Sequence, residues 1–135
     1  MASKNYKYYQ PNTMDLKDNY GDCAIRTICK AEKMEWLEAY DMMYQVSREV
    51  QCPMNCKQGF EHILKHLGYT YHPISNKKGS KRPTVDRFSK DNTEGCFVLV
   101  VANHYVCSEN GSYYDTWDSG DCCLYGYWKK ESESM

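Results

Sequence analysis

No stretch of the 135-residue chain approaches the roughly 18 consecutive apolar residues that a membrane-spanning helix needs. The N-terminal MASKNYKYYQPN also lacks the apolar core of an export signal. The expectation is a cytoplasmic protein whose cysteines stay reduced. An excess of one charge is missing too: 17 Lys and Arg stand against 18 Asp and Glu, so the net charge is −1 and no overall field draws the chain to nucleic acid or an anionic membrane. Phe and Trp are scarce at three each, while Tyr numbers 13, which favours walls where a ring packs and its hydroxyl stays wet. Hydrophobic residues at 41% and charged ones at 26% fit a folded globular chain rather than a disordered one or a fibre. The length allows one core, so any chemistry sits in a single small domain.

Cysteine is what the sequence has in plenty, eight of them at 23, 29, 52, 56, 96, 107, 122 and 123. Three uses compete for them: a disulfide scaffold, a metal site, or reduced thiols with one nucleophile among them. The spacing lacks the dense, regular framework of a small secreted scaffold.

Residues 1–20 are polar and Tyr-rich and read as an irregular lead-in or a short strand. Ala24, Ile25, Ile28 and Ala31 recur at three- and four-residue spacing and predict a helix over 22–33, with Asp22 as N-cap. Trp36, Leu37, Tyr40, Met43, Tyr44 and Val46 predict a second over 35–48. Phe60, Ile63, Leu64 and Leu67 form a third, closed by Gly68. A strand over 69–74 follows, then a loop over 75–83 rich in Lys and Arg, then one helical turn from Thr84 to Phe88. The apolar run 96–101 reads as a strand, and Asn110-Gly111 between 104–107 and 112–117 is a strong hairpin signal. A last strand is expected over 122–128. The predicted architecture is α+β, N-terminal helices packed on a C-terminal antiparallel sheet, as one domain over 1–128 with a charged tail over 129–135.

Two placements carry chemistry. Cys23 opens the first helix, where unpaired N–H groups and the positive end of the helix dipole favour thiolate over thiol. In the hairpin, a two-residue type I′ turn at Asn110-Gly111 sets 109 opposite 112, 106 opposite 115 and 104 opposite 117. His104 and Asp115 then share a face as diagonal neighbours, about 7–8 Å apart between backbones, a span that an imidazole and a carboxylate can close. Asp118 points the other way.

A Cys at a helix start followed downstream by His on one strand and Asp on the next resembles the papain-like cysteine peptidases. The matching segments are Gly21-Asp22-Cys23, Asn103-His104-Tyr105-Val106 and Tyr114-Asp115-Thr116-Trp117. Asp115-Thr116-Trp117 looks like the family's Asn-Ser-Trp with Asp in place of Asn. The resemblance implies a papain-like fold in a minimal, single-domain form. It also implies a Cys23–His104–Asp115 triad that hydrolyses peptide, isopeptide or side-chain amide bonds through a thioester, with no cofactor and a protein or peptide as partner. The family places a Gln six residues before the Cys as oxyanion donor. Position 17 is Lys here, and Asn19 is the nearest amide side chain, so Asn19 with the backbone N–H of Cys23 is the expected oxyanion pair.

Three rival readings remain open. Cys52, Cys56, His62 and His66 give C-x3-C-x5-H-x3-H, a candidate zinc module, although finger-type sites usually carry a longer spacer. Lys77, Lys78, Lys81 and Arg82 could contact nucleic-acid phosphates, yet such runs are more often solvated loops. A papain-like scaffold could also serve as a non-catalytic binding module, because function lives in the site and not in the fold.

Overall fold

The computed structural model describes residues 5–15, 21–75 and 81–130. Among the described residues, four helices and six strands follow in the order β1 (Tyr6–Tyr8), α1 (Cys23–Glu32), α2 (Trp36–Val50), α3 (Lys57–His66), β2 (Tyr69–Pro73), α4 (Val85–Asp91), β3 (Cys96–Val101), β4 (His104–Glu109), β5 (Ser112–Asp115) and β6 (Gly126–Lys130). The strands make one sheet in the order β1-β5-β4-β3-β6-β2, antiparallel except where β1 runs parallel to β5. The chain is thus α+β, and none of the described helices is long and apolar enough to cross a membrane.

The three N-terminal helices cover one face of the sheet, with Ile28, Met43, Phe60, Ile63 and Leu64 buried against Val98 and Trp128. The other face is covered by α4, whose Val85 and Phe88 pack with Leu99, Val106, Tyr113 and Leu124. A sheet buried on both faces explains why Cys96–Val101 reads as an unbroken apolar run rather than an alternation. The sequence reading had no helix crossing to the second face. The single turn expected after Thr84 is a longer helix, capped by Thr84 Oγ1 accepting from Arg87 N at 3.1 Å.

Helix ends follow local chemistry. Lys33 and Gln51 close α1 and α2 in the left-handed region, and Gly68, at φ +93, turns the chain from α3 into β2. Asp22 occupies the N-cap position of α1 but caps nothing, because its carboxylate is taken by Arg26 and Trp36. A cation and an indole N–H together satisfy the carboxylate and leave it turned away from the helix amides. The strand expected over 122–128 begins later, at Gly126. Residues 122–124 instead tie the start of α4, with Val85 N donating to Cys122 O at 2.9 Å and Leu124 N to Pro83 O at 3.0 Å. β6 then runs through Lys129 and Lys130, which pair with Thr70 and Tyr69, so the tail expected from 129 starts inside a strand. Residues 131–135 lie outside the described residues.

Candidate active site

The start of α1 and the β4–β5 hairpin meet at one end of the sheet. Cys23 is the first residue of α1, beside N–H groups that have no partner within the helix. Asn103, at φ 55, sits in the two-residue turn that carries β3 into β4 and delivers the chain to His104. At the far end of β4, Asn110 (φ 50) and Gly111 (φ 90) take the positive dihedrals of a type I′ turn. The resulting register pairs Glu109 with Ser112, Ser108 with Tyr113 and Cys107 with Tyr114. This is the register read from the sequence. It brings His104 Nε2 within 2.7 Å of Asp115 Oδ2.

The other ring nitrogen, Nδ1, is not engaged by Asp115, and the imidazole and the Cys23 thiol are near enough to shift each other's titration. In the neutral ring, Nε2–H donates to Asp115 while the Nδ1 lone pair receives the thiol proton. The indole of Trp117 lies over the imidazole with ring centroids 5.0 Å apart and covers it from solvent.

Asp115 is 1% exposed, and a carboxylate so deeply buried needs partners. It accepts from His104, from Ser119 Oγ at 2.7 Å, from its neighbour's Thr116 N at 2.8 Å and from Arg26 Nη2 at 3.3 Å. Arg26 in turn pairs through Nη1 with Asp22, whose second oxygen accepts from Trp36 Nε1 at 2.9 Å. Helices α1 and α2 are thereby tied to β5 through one buried line of charge. Asp118 stays off the imidazole and accepts from the Tyr113 hydroxyl and Gly120 N.

These contacts set the titration of the pair. Burial opposes a charged imidazole, but hydrogen bonds with Asp115 and Cys23 and the fields of both outweigh it and raise His104 to about 9. Burial likewise opposes a thiolate at Cys23. The hydrogen bonds from His104 and from the backbone N–H of Tyr105, with the positive fields of His104 and Arg26, overcome it and lower the thiol below its ordinary value. The two shifts favour a thiolate–imidazolium pair. By contrast, burial pushes Cys29 up to about 12.

A cavity of about 370 Å³ opens beside Cys23, walled by Met43, Met54, Cys56, Phe60 and Tyr105. A larger hollow of about 890 Å³ between residues 11–15 and 34–37 has no cysteine or histidine in its lining, so size does not locate the chemistry here.

Asn19 and Lys17, considered for the oxyanion, lie outside the described residues, as do Lys77 and Lys78 of the basic loop. Of the remaining loop cations, Lys81 is exposed and Arg82 lies 4.7 Å over the Tyr125 ring. The Cys52 and Cys56 sulfurs are 3.7 Å apart, whereas His62 and His66 are exposed on α3. Among the described residues no three His, Cys, Asp or Glu side chains converge to hold a metal ion. All eight cysteines are free thiols.

Arg26 and Ser119 escaped the sequence reading. Their signals were present: Asp22 and Arg26 are spaced i, i+4 on a helix, and Ser119 follows Asp115 by four residues across a turn. No family model, no curated protein and no solved structure matches the chain.

Proposed function

We propose that the chain is a cysteine-dependent hydrolase of peptide, isopeptide or side-chain amide bonds, built on a minimal papain-like domain. Cys23 is its nucleophile, His104 its acid–base and Asp115 the residue that orients His104. One observation carries this reading: the imidazole of His104 is held between a buried carboxylate at 2.7 Å and the thiol at a helix start. The chain order Cys, His, Asp over a helix and two adjacent antiparallel strands supports the papain-like reading.

The roles follow from the contacts. The Cys23 thiolate attacks the carbonyl carbon, and the oxyanion takes the backbone N–H of Cys23 at the helix start; the Asn19 amide is the second donor to be tested. Each such donor contributes about 2.7–4 kcal/mol to transition-state stabilisation. His104, charged up to about pH 9, gives its proton to the leaving amine, which departs as the C–N bond breaks and the thioester forms. The neutral ring then takes a proton from water, whose oxygen attacks the thioester, and Cys23 leaves as thiolate. Asp115 holds the tautomer and balances the imidazolium.

Alkylation by limiting iodoacetamide at pH 6, mapped by mass spectrometry, tests the activated thiolate. Cys23 should label first among the eight cysteines, and His104→Ala should abolish that preference. Equal labelling of Cys23 and the exposed Cys123 in the wild type would remove the enzyme reading. A library of peptidyl aminocoumarin amides then reads hydrolysis, expected in the wild type and lost in Cys23→Ala.

A further inference from the structure

Two cysteine pairs lie within sulfur contact, and their surroundings differ. Cys96 and Cys107 reach each other across β3 and β4 at 3.6 Å, but Cys107 is fully buried. Burial and its sulfur neighbour hold the Cys107 thiol well above its ordinary range. Cys52 and Cys56 lie 3.7 Å apart in the turn between α2 and α3, and both are half-buried rather than enclosed.

That turn is pinned at both ends. Cys52 N donates to Ser47 O at 3.1 Å, and the Ser47 hydroxyl donates to Cys52 O. At the other end Cys56 is the N-cap of α3, and its carbonyl accepts from Phe60 N at 3.0 Å. Gly59 lets the turn lie directly on the helix: a Cβ there would stand 1.9 Å from the Pro53 carbonyl oxygen. The two sulfurs are therefore held together by backbone contacts instead of meeting by chance, and little chain freedom is lost on joining them. The backbone N–H groups of Gly59 and Gln58 point at the Cys56 sulfur and lower its pKa, while Cys52 is raised by its bond to Cys56. Cys56 stands at the start of α3, and its thiol donates to the Pro53 carbonyl at 3.2 Å.

We propose that Cys52 and Cys56 are a redox-active dithiol that closes to a disulfide under hydrogen peroxide, in the wall of the cavity beside Cys23. In the first step the Cys56 thiolate attacks a peroxide oxygen; the S–O bond forms, the O–O bond breaks, and hydroxide leaves and is protonated to water. In the second the Cys52 sulfur attacks the sulfenic sulfur; the S–S bond forms, the S–O bond breaks, and hydroxide leaves with the Cys52 proton as a second water. Peroxide is reduced and the two thiols are oxidised. Met54, Cys56 and Lys57 line the cavity, so the oxidation alters its wall. The closure does not depend on the hydrolase reading.

The wild-type chain is treated with a few equivalents of hydrogen peroxide at pH 7, unfolded in guanidinium, blocked with N-ethylmaleimide and digested with trypsin. Cleavage after Arg48 and Lys57 isolates both sulfurs in one peptide, EVQCPMNCK. That peptide should lose both alkylation sites and two hydrogen atoms, and dithiothreitol should restore them, while Cys96 and Cys107 remain alkylable. Cys52→Ser should leave Cys56 as a sulfenic acid trapped by dimedone, and Cys56→Ser should leave Cys52 alkylable. Persistence of both alkylation sites in EVQCPMNCK after Cys123 has been oxidised overturns the proposal. So does preferential closure of Cys96 with Cys107, because proximity alone would then govern. Sulfenic acid at Cys52 in Cys56→Ser, with none at Cys56 in Cys52→Ser, overturns the assignment of roles.

Discussion

Arg26 stands between two buried carboxylates, Asp22 and Asp115, with its own side chain 10% exposed. An apolar replacement leaves both carboxylates short of a cation: Asp22 keeps the neutral Trp36 indole, and Asp115 keeps His104. Breaking a buried pair this way costs about 3–5 kcal/mol, a large part of the 5–15 kcal/mol that stabilises an ordinary domain. Arg26→Met is therefore expected to lose about that much in urea unfolding at pH 7, and Asp22→Asn in the same background should recover part of it by removing one of the stranded charges. A second readout separates position from mere stability. Arg26 is one of the cations that favour the Cys23 thiolate, so the midpoint of Cys23 alkylation against pH should move upward in Arg26→Met and stay put in an equally destabilised core variant such as Leu64→Ala. The diagonal His104–Asp115 contact was legible because strand parity and a two-residue turn leave no freedom once Asn-Gly is recognised. Arg26 was not, because a cation on a helix looks solvated until the fold shows which carboxylates close around it.

Elements were legible where period and punctuation agreed. The apolar stripes of α1, α2 and α3 were read to within a few residues, although Leu37 and Tyr44, counted in the second stripe, stand exposed at 68% and 50%. Met43 and Val46 of that stripe carry the burial of α2, together with Ala39, which the stripe did not include. The start of β6 was misread because Cys122, Leu124 and Tyr127 fit a strand by composition, and nothing local reveals that residues 122–124 are needed by α4. What marks the true start is Gly126, where a Cβ would fall 2.2 Å from the Tyr71 hydroxyl oxygen. Gly59 makes the same point within a helix. Alanine gains about 1 kcal/mol over glycine in a helix interior, but here its Cβ meets backbone, the Pro53 oxygen at 1.9 Å and its carbon at 2.8 Å. The turn from Cys52 to Cys56 must then lift off α3, and overpacking of this kind costs about 1–3 kcal/mol. Gly59→Ala is expected to lower thermal stability despite its better propensity; a rise in the melting temperature would show that the turn does not rest on the helix.

At the scale of the molecule, the sheet has one core on each face, and the candidate site lies at the end of β4 and β5, where the start of α1 overhangs the sheet. The charges there are coupled, and the coupling has a signature in stability against pH. His104 is raised from 6.5 to about 9, so the stability it contributes is complete below pH 6.5 and is lost as pH rises through about 9; its full extent is about 3 kcal/mol. Cys23 is lowered, so its contribution is complete above the ordinary thiol value and is lost as pH falls through the folded one. Above pH 6.5, and between the folded and the ordinary thiol values, the two slopes oppose each other: the folded chain holds one proton on the pair, as thiolate and imidazolium, and the unfolded chain also holds one, as thiol and neutral ring. The pair should therefore leave stability flat across that window. Cys23→Ser removes the thiol but leaves Asp115 beside His104, so only the falling slope remains, and stability should decline from pH 6.5 upward. Urea unfolding of wild type and Cys23→Ser at intervals from pH 5 to 9 measures the difference, with buried groups elsewhere, such as Cys29 and Tyr69, cancelling between the two chains. Parallel curves through the window would mean that His104 and Cys23 do not share a proton, and the hydrolase reading would fall with them.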